Sequence, residues 1–401
     1  MYKNYSLEIN SKKLILVSVF TNNSFRLGIL GGGQLGKMLV QSASQWGIQT
    51  DVLDSDPECP ARSLANNFVL GDFRKYEDVI AFAKNVDVLT IEIEQVNVLA
   101  LKEIEKTKTK VYPSSGAIEI IQNKASQSRF LKSHAIQTPA YLEFQNKSEI
   151  KNAINAKHIT YPFVQKICEH GYDGKGVAII KSEKDLGLLI DAPSIVQDYI
   201  DIAKEISILV SRNAKNEIAL YDSVEMVFDH TANLVDYLLY PAKITEALET
   251  EAKELAQKII TKLDYVGILA IEMFIDSKGL LWVNEMAPRP HNSGHQTIES
   301  SITSQYEQHL RAVLSLPLGD TKILAPSIML NILGAEGHTG DAQYCGIEES
   351  LAIPGVYVHM YGKKQTKPYR KMGHCTVIAD TLDSAFTIAM NIKEKLKVIS
   401  K

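Results

Sequence analysis

The sequence predicts a mixed α/β fold in two or three domains, and three observations carry that expectation. Residues 26–40 read as strand, glycine turn and helix. Leu269 to Ile275 and Leu281 to Val283 are apolar strands joined by the turn Asp276-Ser277-Lys278-Gly279, which predicts a hairpin. The last segment is strand-rich, at 328–334, 355–361 and 375–379. A length of 401 residues fits two or three domains at roughly 100–200 residues each.

Composition excludes several classes. The net charge of −4 argues against a nucleic-acid binder. The four cysteines form no CxxC pair, so they frame neither a zinc site nor a disulfide scaffold, and a cytoplasmic location fits. Nothing approaches the roughly 20 apolar residues of a membrane span. Leu14 to Phe20 follow Lys12 and Lys13 as a signal-like stretch, but Thr21 to Ser24 make a poor cleavage site. Residues 1–24 are therefore expected to be a tail outside the fold.

In chain order, Gly31, Gly33 and Gly36 form GxGxxG after the first strand, and Asp54 ends the second. That spacing fits a dinucleotide fingerprint. The same glycines serve any nucleotide-like fold that offers backbone N–H groups to a phosphate at a helix N-terminus. Next, the strand from Val86 runs into Glu92 and Glu94. Alternation places both on one face at a ligand-binding strand end; a solvated strand end is the competing reading. Helices are expected at 99–106 and 118–135, with Lys124 early on the second, and a strand at 110–113.

From Tyr141 the pattern changes. A strand at 161–166 carries Lys166. A glycine-rich tip, Gly171-Tyr172-Asp173-Gly174-Lys175-Gly176, leads into the strand 177–180. Glycines let amides approach phosphate oxygens and Lys175 adds charge, so the hairpin reads as a phosphate-covering flap rather than a plain turn. The segment Gln197-Asp198-Tyr199-Ile200 leaves a short strand and can offer backbone groups to a base edge. Glu205 follows where it can hold a ribose. Helices are expected at 245–263 and 301–314.

The densest polar stretch is 284–295. Asn284 and Glu285 end a strand, Pro288 and Pro290 bracket Arg289, and His291, Asn292, Ser293, Gly294 and His295 complete a rigid loop. A core has no use for so many unlike polar groups, whereas a site for metal, phosphate and a small anion does. Glu272 and Glu285 lie on the two hairpin strands and are expected to face each other. Two facing carboxylates repel unless a cation lies between them, and Mg²⁺ suits such ligands. Near the C-terminus, Lys363, Arg370 and Lys371 lie on a loop held by Pro368 and Gly373. Fixed cations of that kind suit a phosphomonoester; a solvated basic loop is the competing reading.

Together these stretches resemble the ATP-grasp superfamily, and within it the N5-carboxyaminoimidazole ribonucleotide synthetases. The residues that carry the resemblance are 28–36, Glu92 to Glu94, 171–176, 284–295 and 361–374. The resemblance implies a three-domain ATP-grasp architecture. Residues 1–24 are the tail and 25–121 a Rossmann-like domain. Residues 122–317 form an ATP-grasp domain and 318–401 a small β-rich domain. It implies ATP contacts at Lys124, Lys166, the 171–176 flap, Gln197 to Ile200, Glu205, Asn284 and Glu285, with Mg²⁺ on Glu272 and Glu285. Substrate contacts follow at Gln34, Leu35, Glu92, Tyr172, Asn292, Lys363, Arg370 and Lys371. Arg289, Asp173 and Lys363 are the candidate catalytic residues.

The implied reaction is ATP-dependent carboxylation of 5-aminoimidazole ribonucleotide by bicarbonate in purine biosynthesis, by a homodimer that needs neither nucleic acid nor membrane. Two features depart from the family pattern: Glu169 and His170 precede the flap where Arg and Gly are usual, and Gln197 stands where Glu is common. A formate-dependent glycinamide ribonucleotide formyltransferase is the nearest alternative. Gln34, Asn292 and the Gly-Tyr-Asp-Gly flap disfavour it. A non-catalytic nucleotide sensor is disfavoured by Glu272, Glu285 and Lys166.

Overall fold

The computed structural model describes residues 24–401 except 170, 172–175 and 230–233. The expected tail and most of the flap, with Tyr172, Asp173, Gly174 and Lys175, therefore lie outside the described residues.

The first segment is built from β1 (Arg26–Leu30), α1 (Gln34–Ser44), β2 (Gln49–Asp54), β3 (Asn67–Leu70), α2 (Tyr76–Ala83), β4 (Val88–Ile91), α3 (Val98–Ile104) and β5 (Lys110–Val111). Its five-stranded sheet has the order β3-β2-β1-β4-β5, with every pair parallel. Leu27, Ile29, Leu30, Leu53 and Leu89 are buried, as strands covered on both faces require. The order reverses at β1, so the crevice beyond β1 and β4 is the switch point where such sheets bind ligands. Residues 31–36 and 92–94 lie there.

The helix expected at 118–135 is two helices, α4 (Ser115–Gln122) and α5 (Lys124–Ser133). Asn123 breaks it. Its backbone is extended and its side chain accepts from Ala125 N and Ser126 N, capping α5. The break puts Lys124 at the first position of α5.

The next sheet has four strands, β6 (Tyr141–Phe144), β7 (Phe163–Ile167), β8 (Val177–Ile180) and β9 (Ser194–Asp198), in the antiparallel order β6-β9-β7-β8. Helix α6 (Lys147–Asn155) follows β6. The β7–β8 pair is the hairpin expected to carry the flap.

The largest sheet has nine strands. It contains β10 (Ile202–Arg212), β11 (Ile218–Leu220), β12 (Val224–Asp229), β13 (Leu234–Tyr240), β14 (Gly267–Asp276) and β15 (Leu281–Ala287). Helix α7 (Glu246–Lys262) packs on it through Ala252, Ala256, Ile259 and Ile260, one helical stripe, and Thr245 caps its start. The short α8 (Thr297–Ser300) and α9 (Gln305–Val313) follow. The helix expected from Ser301 begins only at Gln305, because Ser301 pairs with Ile323 as an isolated bridge and Ser304 is the cap.

The C-terminal segment divides between two sheets. Strand β16 (Ser327–Leu333) pairs with β13 on one side and with a later strand, Lys371–Ile378, on the other. The remaining elements are β17 (Gly340–Cys345), α10 (Ile347–Leu351), β18 (Val356–Met360), β19 (Gln365–Thr366), the strand just named as β20, α11 (Leu382–Lys393) and β21 (Lys397–Ser400). Strands β16, β20 and β18 extend the large sheet, while β17, β19 and β21 form a small one.

One buried histidine ties the first sheet to the large one. His309 on α9 accepts the Ile268 N–H at Nδ1, 3.1 Å, so its Nε2 carries the hydrogen and donates to Thr90 Oγ1 at 2.8 Å. Burial pushes its pKa down to about 3, which keeps it neutral in that tautomer. Among the described residues no helix is long and apolar enough to cross a membrane.

Candidate active site

The two expected metal carboxylates sit where the hairpin puts them. The turn is fixed by Asp276, whose Oδ1 accepts from Lys278 N and Leu280 N, both 2.9 Å, and by Gly279 at φ +80°. In the β14–β15 ladder Glu272 is the cross-strand partner of Glu285. Register slips beside them, since Met273 pairs with Val283 and Asn284 is the extra residue. A bulge re-aims side chains. Here Asn284 Oδ1 accepts from Lys166 Nζ at 2.6 Å, and the neighbouring Glu285 Oε2 accepts from Lys124 Nζ at 2.6 Å. Strand β7 supplies Lys166 and the start of α5 supplies Lys124, so residues from three parts of the chain meet.

The charges in this cradle are held in tension. Burial, then repulsion from Glu285 and Glu205, pushes Glu272 up to about 8. Burial opposes ionisation of Glu285 too, but Lys124 outweighs it and holds that carboxyl below the usual range. Burial raises Glu205 to about 7, opposed by Lys166. Burial and then Lys124 lower Lys166 to about 8, against three glutamates. Without a cation, three carboxylates on β10, β14 and β15 share too little positive charge. Among the described residues no group of three or more His, Cys, Asp or Glu side chains forms a metal cage. A hard ion at Glu272 and Glu285 would take its other oxygens from ligand and water.

Arg289 is not an isolated anion holder. Its Nε donates to Glu94 Oε2 at 2.5 Å and one terminal nitrogen donates to Pro290 O at 3.1 Å. Burial acts to raise the Glu94 pKa, yet Arg289 outweighs it and holds the carboxyl at about 2. His291 Nε2 lies 3.6 Å from Glu272 Oε1. Its Nδ1 accepts from Ser293 N at 3.3 Å, and burial, then Arg289 and Lys371, push it down to about 3, so the ring is neutral. Neither Glu94 as the partner of Arg289 nor His291 beside Glu272 was read from the sequence.

Glu92 and Glu94 do not share a face. Strand β4 ends at Ile91, and the two carboxylates go separate ways. Glu92 accepts from Gly33 N at 2.9 Å and Gly36 N at 3.0 Å. Asp54 Oδ2 accepts from Gly32 N at 2.6 Å. A Cβ on Gly31 or Gly33 would lie 2.5 Å or 2.7 Å from Glu92 atoms. The glycines of GxGxxG thus make room for the chain's own carboxylate at the helix N-terminus, where a dinucleotide would place its pyrophosphate.

The remaining expected site residues divide. Leu35 is a core residue, packed with Leu27, Leu39 and Tyr361; Gln34 beside it is half-buried. Gln197 is buried in β9 between Tyr141 and Val164, and Asp198 gives its amide to Ala140 O at 2.9 Å. Tyr199 is exposed and Ile200 half-buried. Gly171 and Gly176 flank the undescribed flap, Gly176 at φ +85°. Asn292 opens a short 3-10 turn, and its buried Oδ1 has no partner among the described residues. On the basic loop, Lys363 Nζ donates to Lys371 O at 2.7 Å and Arg370 donates to Gln365 O at 2.6 Å. Lys371, the first residue of β20, also acts electrostatically on Glu272 and His291.

Residues 25–122 match the ribonucleotide synthetase preATP-grasp domain, 129–306 the ATP-grasp domain and 327–386 the phosphoribosylaminoimidazole carboxylase C-terminal domain. The chain is 36% identical to the phosphoribosylaminoimidazole carboxylase of Saccharomyces cerevisiae over 90% of its own length, and spans 64% of that longer relative. It is similar to the crystal structure of N5-carboxyaminoimidazole ribonucleotide synthetase from Thermotoga maritima, at 41% identity and a TM-score of 0.86, covering 94% of this chain and 100% of that one. It also resembles the Aspergillus clavatus N5-carboxyaminoimidazole synthase solved with ADP and 5-aminoimidazole ribonucleotide, at 34% identity and a TM-score of 0.83, covering 93% and 98%.

Proposed function

Because the chain belongs to the ATP-grasp family of N5-carboxyaminoimidazole ribonucleotide synthetases, we propose that it carboxylates 5-aminoimidazole ribonucleotide with bicarbonate, converting ATP to ADP and phosphate. The observation that carries this reading is the cross-strand pair Glu272–Glu285 with Lys124 and Lys166 bonded beside it. That arrangement suits a metal-bound polyphosphate, and the internally filled glycine turn disfavours a dinucleotide.

In the proposed reaction a bicarbonate oxygen attacks the γ-phosphorus and the bond to ADP breaks. The carboxyphosphate so formed releases phosphate and carbon dioxide. The ribotide amine adds to that carbon and gives up a proton. Lys124 and Lys166 neutralise phosphate oxygens on one side of the cleft. Arg289, oriented by Glu94, holds the bicarbonate. His291, neutral, orients Glu272 through its Nε2–H. Mg²⁺ on Glu272 and Glu285 would screen the phosphoryl charge. The donor set fits it, since both ligands are hard oxygens and Glu272 resists ionising without a cation. The flap excludes water, and Asp173 steers the amine or takes its proton. Lys363, Arg370 and Lys371 bind the ribotide phosphate.

Cysteines 59, 168, 345 and 375 are free thiols, which supports a reducing, cytoplasmic setting. The proposed assembly is a homodimer, on the strength of the family resemblance; a sedimenting mass equal to one 44.6 kDa chain would refute it.

The test is ADP release with three substrate sets. We expect turnover with 5-aminoimidazole ribonucleotide and bicarbonate, and none with glycinamide ribonucleotide and formate or with ATP alone. Turnover with the formate pair only would replace this reading.

A further inference from the structure

The loop that carries Arg289 and His291 is gripped from behind by a side chain outside every motif used so far. Gln305, the first residue of α9, is fully buried. Its Nε2 donates to His291 O at 2.8 Å and its Oε1 accepts from His291 N at 2.8 Å. One side-chain amide therefore pairs both backbone polar groups of His291, as a neighbouring strand would. The Nε2 also lies 3.2 Å from His295 Nδ1.

The grip extends along the loop. Gln305 N donates to Thr297 Oγ1 at 2.9 Å, and that hydroxyl donates to Gly294 O at 2.6 Å. Gln296 Nε2 donates to Ser293 O at 2.9 Å. Gly294 has to be glycine here, since a Cβ would collide with Gln305 Oε1 and with Leu209. On the other side, Ser293 Oγ meets Ser207 Oγ of β10 at 2.8 Å. The His291 peptide is thus fixed between α9 and the large sheet. From it, the His291 ring reaches toward Glu272, and two residues upstream Arg289 reaches Glu94.

We propose that Gln305 is a positioning residue for the ligase reaction: it sets the His291 peptide so that the His291 ring stays beside Glu272 and Arg289 stays paired with Glu94. This rests on the reaction proposed above. Reacting groups misplaced by about 1 Å lose on the order of 100-fold in rate. Gln305 touches no reacting atom, so its effect should fall on the chemical step and not on ATP binding.

The test uses the full chain and two variants. Gln305→Met keeps length and removes both hydrogen bonds. We expect kcat for ribotide-dependent ADP formation to fall about 10- to 100-fold, with KM for ATP within about twofold of wild type. We also expect more than one ADP per carboxylated product, as misheld carboxyphosphate is lost to water. Gln305→Glu keeps the acceptor but, ionised, sets a negative charge against His291 O. Protonated, it regains a donor, so its activity relative to wild type should climb as pH falls from about 8.5 to about 6. If Gln305→Met does not fold, the Gln305→Glu pH series carries the test alone. Wild-type kcat and coupling in Gln305→Met would overturn the proposal. So would a constant Gln305→Glu to wild-type ratio across pH, or a loss of ATP binding equal to the loss of kcat. A wild-type enzyme that does not carboxylate the ribotide would refute the ligase reading itself, and this role with it.

Discussion

Glu272 and Glu285 stand opposite each other across the β14–β15 ladder, and the bulge at Asn284 places their neighbour against Lys166. Glu285 is held ionised by Lys124, while Glu272 beside it resists ionising, so the pair favours a bound cation. Glu285→Gln keeps the shape and removes one charge. Metal-dependent turnover should fall roughly 100-fold or more, while the metal-free melting temperature holds or falls slightly, because Lys124 loses its charged partner. Near-normal turnover at ordinary Mg²⁺ would remove Glu285 from the site, and the paired assays are ADP release and a thermal melt.

The Arg289–Glu94 pair gives a signature in acid. Glu94 titrates at about 2 when folded, against an ordinary 4.5. A depressed folded pKa contributes stability that is fully present above the unfolded value and is lost as pH falls through the folded one. Wild type should therefore lose up to about 3 kcal/mol between roughly pH 5 and 2 through this group. Glu94→Gln should show a shallower acid slope in denaturant unfolding. Identical slopes would mean the pair adds nothing to the fold.

Glu92 is predicted to act on stability first. Glu92→Ala leaves the Gly33 and Gly36 amides without their acceptor. Each unsatisfied buried N–H costs about 1–3 kcal/mol, so the melting temperature should drop by several degrees. Glu92→Gln, which keeps one acceptor oxygen, should lose less. An unchanged melt for Glu92→Ala would show that water replaces the carboxylate freely.

How far these relationships could be read in the sequence depended on their range. The Glu272–Glu285 pair was legible because a strong turn signal, Asp276 to Gly279, joins two short apolar strands. The GxGxxG turn was legible as a shape but not as a role, because its occupant, Glu92, comes from another strand. Extending β4 past Ile91 gave Glu92 and Glu94 a shared face they do not have. Asn123 was hidden inside a helical pattern, although Asn is a good cap. The joining of β16 to β13, the Arg289–Glu94 pair and the Gln305 grip depend on tertiary placement that no local periodicity encodes.

The basic C-terminal loop should act on the ribotide and spare ATP. Arg370→Ala should lower kcat/KM for the ribotide roughly 30-fold or more, the scale for truncating one member of a charged pair. KM for ATP should stay near wild type. Arg370→Lys should restore only part, since an ammonium cannot reproduce a two-pronged contact. A raised KM for ATP with the ribotide unaffected would assign the loop to the nucleotide.

The central claim is that ATP activates bicarbonate, and heavy-oxygen transfer tests it most directly. With all three oxygens of bicarbonate labelled, attack on the γ-phosphorus followed by loss of carbon dioxide leaves one labelled oxygen on each phosphate released. Mass analysis of the phosphate from a single turnover with 5-aminoimidazole ribonucleotide should find one label per phosphate. Unlabelled phosphate, formed at the same rate, would mean that bicarbonate never attacked phosphorus, and would contradict the account.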